Sequence, residues 1–93
     1  AVKKDQSSSP KIMFKGGDGS TLEKAVIILG AKNSFQGVFT ETLWIKRYYP
    51  GWKKNRQKLL SHNGKKYDCI EYINEQNEVK VIYFDITDFF GKF

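Results

Sequence analysis

The period of the apolar positions changes as the chain is read from its N-terminus. Ala25-Val26-Ile27-Ile28-Leu29 is an unbroken apolar run, mostly β-branched, which predicts a strand buried on both faces over 25–30. The spacing then turns helical. Phe35, Val38, Phe39, Thr42, Ile45 and Tyr49 recur on one side, widened by Leu43 and Trp44, and are expected to form the core-facing stripe. Asn33 offers an N-cap with Gln36 as its capping-box partner. Lys46 and Arg47 complement the negative end of the helix dipole, and Pro50-Gly51 ends the pattern. One helix is therefore predicted over 34–48.

The second half reads as a strand meander. Asn63-Gly64 is a hairpin signal, because a type I′ turn requires two residues that tolerate positive φ. It joins a strand near 57–62 to one near 66–74. A second turn over 75–78 leads into a strand over 79–87. Asp88 or Thr87 is expected to cap a final turn whose aromatics hold the C-terminus to the core.

Before the first strand the pattern is weaker. Residues 1–11 are Ser-rich and polar and are expected to form a flexible tail. Ile12-Met13-Phe14 suits a short strand or a lid. Lys15-Gly16-Gly17-Asp18-Gly19-Ser20 must be a loop, and Ser20 with Glu23 predicts one helical turn over 20–24. Residues 12–93 thus form a single α+β domain of order β-α-β-β-β. An antiparallel meander sheet with one amphipathic helix packed on a face is the economical arrangement. The pattern does not say where the first strand joins the sheet.

Composition narrows the chemistry. Ninety-three residues allow one core and no second domain. The single cysteine, Cys69, excludes an intramolecular disulfide and reads as a small buried hydrophobe. No apolar run approaches the roughly 18 residues of a membrane span. Ala1-Val2 followed by polar sequence resembles a mature terminus left after removal of a signal peptide, so export to a periplasmic or secreted location is expected. With one His and one Cys, zinc is excluded, and Asp18 lacks the companion ligands of a calcium loop. No cofactor site is expected.

Gly17-Asp18-Gly19-Ser20 running into Glu23-Lys24-Ala25-Val26-Ile27 carries a resemblance. Leu59-Leu60-Ser61-His62-Asn63-Gly64, Tyr67-Asp68, Tyr83-Phe84-Asp85-Ile86 and Phe89-Phe90-Gly91-Lys92 extend it. Together they resemble a group of small exported bacterial proteins of unknown function, over residues 14–93. The resemblance implies export and a compact single domain, and assigns no catalytic residue.

Two segments could carry chemistry. The Gly16–Ser20 loop has the glycines of a phosphate cradle, but it lacks the Walker and Rossmann orders, and Asp18 would repel an anion. It remains the alternative site, for an enzyme or a small ligand. The charge distribution says more. Between Glu41 and Asp68 there is no acidic residue, while Lys46, Arg47, Lys53, Lys54, Arg56, Lys58, Lys65 and Lys66 are basic. From Asp68 onward the acids predominate, so the net charge of +6 is segregated. Tyr48, Tyr49 and Trp52 interleave the basic cluster, a mixture suited to anionic groups and flat rings. No recognised nucleic-acid motif accompanies it. The reading is a monomeric, non-enzymatic module. It binds an anionic envelope component or an acidic protein through Lys46, Arg47, Tyr48, Tyr49, Trp52, Lys53, Lys54 and Arg56. Interaction through an exposed edge strand is a further alternative.

Overall fold

A computed structural model describes residues 11–92. The tail expected over 1–11 lies outside them except for Lys11, and so does Phe93. The elements are β1 (Met13–Gly16), β2 (Val26–Leu29), α1 (Ser34–Tyr48), β3 (Lys53–His62), β4 (Lys65–Ile73) and β5 (Val79–Asp85). They form one five-stranded sheet in the order β1-β2-β5-β4-β3, with the helix on one face. The fold is α+β, as the pattern predicts.

The meander part is antiparallel. Tyr67 to Ile73 of β4 face Asp85 to Val79 of β5, and β3 pairs along the other side of β4. The hairpin signal is met in full, with φ of 51° at Asn63 and 78° at Gly64. The sheet as a whole is mixed, which corrects the antiparallel expectation. β2 lies parallel to β5, with Val26 beside Phe84 and Ile27 beside Asp85. The helix and hairpin return the chain to the same end of the sheet, so an antiparallel neighbour is not required there. Ile12-Met13-Phe14 resolves as a strand: β1 covers the free side of β2 from Met13↔Leu29 to Gly16↔Val26.

The helix ends match the capping logic. Asn33 accepts the Gln36 N–H at 2.8 Å, while Gln36 reaches back one residue further than a capping box, accepting the Lys32 N–H at 2.7 Å. The helical turn predicted over 20–24 is absent. Asp18 takes the capping position, accepting both the N–H and the hydroxyl of Ser20, and Thr21 to Lys24 close a tight turn. At the other end Asp85, not Thr87 or Asp88, caps the final turn by accepting the Thr87 N–H and hydroxyl. Thr87 bonds across to the Lys66 N–H, and Asp88 accepts from Gly30.

The orientation of α1 departs most from expectation. Its buried residues are Gly37, Thr40, Glu41, Trp44 and Ile45. The predicted stripe turns mostly to solvent, with Phe35 85% and Phe39 58% exposed. Gly37, Thr40, Glu41 and Trp44 each lie two residues on from Phe35, Val38, Phe39 and Thr42, so the inward face is close to the opposite side of the helix. The reason lies in the sheet. Gly37 lets the helix backbone settle on the Phe89 ring, and Trp44 meets Phe84 edge-on at 5.5 Å. Val26, Ile28, Ile70, Ile82 and Phe84 complete this core, each fully or nearly fully buried. Burial of one such side chain contributes about 1.5–3 kcal/mol.

Candidate binding surface

The C-terminal end of α1 and the start of β3 carry the sequence-derived candidates, which fall in three places. Lys46, Lys53 and Lys54 surround one hollow of about 230 Å³ together with Trp52, Thr42, Ile45 and Tyr72. All three lysines are exposed. Lys54 donates to Gln57 Oε1 at 2.9 Å, which orients its stem along β3.

Tyr48 and Tyr49 face a different opening. With Trp44, Phe14, Val26 and residues Lys15 to Asp18 they line a cleft of about 440 Å³ between the helix end and the glycine-rich loop. The two candidate segments therefore share a boundary, a proximity not evident from their separation in sequence. Arg47 lies 5.6 Å from the Tyr48 ring centre on the outside of the helix.

Arg56 does not join them. The register shift between Lys54 and Arg56 accommodates Asn55, and Arg56 then sits opposite Glu71, 4.0 Å from its carboxylate. It borders a hollow on the sheet face away from the helix, with Lys58, Cys69 and Tyr83. Cys69 is buried there as expected.

An aromatic cluster supports the basic hollow from beneath. Trp44, Tyr49 and Trp52 meet in series, tilted and then edge-on, with centroids 5.9 and 6.4 Å apart. Lys80, from β5, caps the series at 4.9 Å from Tyr49 and 5.8 Å from Trp52. Lys80 is a functional candidate that the charge pattern missed, because it lies in the acidic half of the chain. Its cross-strand pairing with Tyr72 brings it to this side of the sheet.

A second feature was also illegible from sequence. Glu41 on α1 and Asp68 on β4 are buried to 1% and 5% exposure. Neither Glu41 carboxyl oxygen meets a donor. Burial first, then the neighbouring Asp68 carboxyl, raise the Glu41 carboxyl to about 10, with Lys54 opposing. The Glu41 carboxyl is therefore held in its protonated form at neutral pH. Burial and the same two carboxyls also hold the Tyr72 hydroxyl protonated.

The glycine-rich loop is arranged for its own closure. Gly17 N–H donates to Ala25 O, Gly19 N–H to Lys24 O, and Ser20 N–H to Asp18. Those three donors are directed inward, away from an anion in the cleft. The Ser20 side chain and backbone hold the Asp18 carboxyl below its ordinary range, so the loop presents a negative charge. Among the described residues no group of three or more His, Cys, Asp and Glu could hold a metal ion. Compared with known proteins, the chain matches no family model, no curated protein and no solved structure.

Proposed function

We propose that this domain is a non-enzymatic binding module for an anionic or acidic partner, acting at the end of α1 and the start of β3. The observation that carries the reading is the convergence of Lys46, Lys53 and Lys54 on one hollow beside Trp52. Three cations without an acidic neighbour in that rim raise the local potential, and the aromatic floor gives flat contact area. An envelope polyanion or an acidic protein face fits this chemistry, and export to a periplasmic or secreted location is the matching setting.

The edge-strand alternative is less well supported. β3, one edge of the sheet, carries Lys53, Lys54, Arg56 and Lys58, and β1, the other, has four residues. Charged and short edges both discourage pairing with another chain. The cleft between Tyr48, Tyr49 and the glycine loop favours a second reading as a small-ligand site, with the aromatic walls and not the loop amides making the contact.

Immobilised heparin tests the main reading. The protein should be retained at low salt and released as salt rises. Lys46→Glu/Lys53→Glu should elute much earlier than Lys3→Glu/Lys4→Glu, although both pairs change the net charge equally. Equal elution of the two would reduce the cluster to a solvated face and remove the proposal.

A further inference from the structure

The outward face of α1 is apolar where a helix covering a sheet is ordinarily polar. Phe35, Val38, Phe39 and Leu43 are 85%, 39%, 58% and 47% exposed. Their i, i+3, i+4, i+8 spacing makes one stripe along about 12 Å of helix. The charges around it share one sign. Lys32 precedes the stripe, Lys46 and Arg47 follow it, and Glu41, the helix's single acid, is buried against the sheet. Thr42 lies in both the shallow hollow walled by Phe35, Val38 and Phe39 and the basic hollow walled by Lys46, Lys53 and Lys54. The apolar stripe and the cationic cluster are one continuous surface.

We propose that α1 docks the domain on an anionic lipid bilayer. Phe35, Phe39 and Leu43 enter the boundary between headgroups and acyl chains, while Lys32, Lys46, Arg47 and Lys53 meet lipid phosphates. The assignment rests on the preceding reading of the basic cluster as an anion-facing surface and adds the apolar half of the contact. A helix with an apolar stripe and cationic flanks lies in the plane of a bilayer. No described helix is long and apolar enough to cross one, so the attachment is peripheral.

Charge argues against a second copy as the occupant. An antiparallel helix pair centred on Phe39 sets Lys32 of one copy beside Lys46 of the other. A parallel pair sets each cation beside its own equivalent. Both arrangements bring like charges together at the rim of a small apolar contact. A protein partner would need a shaped recess for Phe35, which stands almost wholly clear of the surface. Lipid deforms around it.

The experiment is co-sedimentation with vesicles of phosphatidylglycerol mixed with phosphatidylcholine, and with vesicles of phosphatidylcholine alone. The native protein should bind the first and not the second. Phe35→Ser/Phe39→Ser should lower vesicle affinity by about tenfold or more, since insertion scales with the apolar area buried. Because both side chains are exposed, its melting temperature and its heparin retention should stay as in the parent. Vesicle binding undiminished in this variant overturns the inference while leaving the polyanion reading intact. Loss of heparin retention by the parent protein removes both. A dimer in sedimentation equilibrium that the serine variant dissolves, without vesicle binding, assigns the face to a second copy. A monomer that ignores vesicles yet keeps its heparin retention assigns it to a protein partner. Either result overturns the proposal.

Discussion

The ring of Phe89 lies against the backbone of Gly37, so closely that a Cβ placed on residue 37 would fall 2.3 Å from its Cε1 and Cζ atoms. No real Cβ tolerates that approach, and Phe89 is 2% exposed with little room to retreat. In an exposed helix interior, replacing Gly by Ala would gain about 1 kcal/mol. Here the gain is outweighed. Gly37→Ala should destabilise the fold by about 1–3 kcal/mol through overpacking, read from urea unfolding. Adding Phe89→Leu should recover part of the loss, and a double variant no better than the single one would place the clash elsewhere.

Glu41 predicts a pH dependence. Its folded carboxyl titrates near 10, against an ordinary value of 4.5. Between those limits the native state holds one more proton than the unfolded chain, so stability falls as pH rises. The stabilising term is complete below pH 4.5 and is lost as pH rises through the folded value. One proton corresponds to a slope of about 1.4 kcal/mol per pH unit at most. Thermal unfolding between pH 5 and pH 9 should show the decline (these limits are roughly the window set by the shift). Glu41→Gln keeps the shape without a titrating group and should flatten the curve. A native protein whose melting temperature rises through this window would refute the protonated Glu41.

At the hairpin, Gly64 isolates backbone strain from packing. Its φ is 78°, and a Cβ there would meet nothing within 4 Å. Gly64→Ala should therefore cost about 1–2 kcal/mol, the penalty of the left-handed region for an L-residue. Gly64→Lys should cost the same, because the larger side chain has open space. A clear difference between the two in denaturant midpoint would show that packing contributes after all.

Local signals were legible where a few adjacent residues decide the outcome. Asn33 and Pro50-Gly51 bracket the helix, and Asn63-Gly64 sets the register of β3 on β4. The facing of α1 is not legible from its two sides, because the more apolar one faces solvent and the buried one carries Gly37, Thr40 and Glu41. Choosing between them depends on Gly37 meeting Phe89 and Trp44 meeting Phe84, contacts made across the fold. The β2–β5 pairing was hidden for the same reason, since an apolar run signals burial without naming its neighbour. The basic cluster was visible as composition. Its division between Lys53 and Lys54 on one hollow and Arg56 on the opposite face follows from the register shift at Asn55.

The contacts that close the fold also order its assembly in time. Gly30 N–H reaches the Asp88 carboxylate and Ser34 N–H reaches the Lys92 carbonyl, and Gly30 and Asp88 are 58 residues apart. A chain emerging from the ribosome makes β1, β2 and α1 first, yet β2 has its inner neighbour and α1 its Phe89 support only after β5 and Phe89 appear. The hairpins β3–β4 and β4–β5 involve short separations and can form early, at small loop-closure cost. Until β5 has been translated, the apolar run from Ala25 to Leu29 has only β1 beside it. A chain without β5 and Phe89 would stay in that state, open to chaperones and proteases.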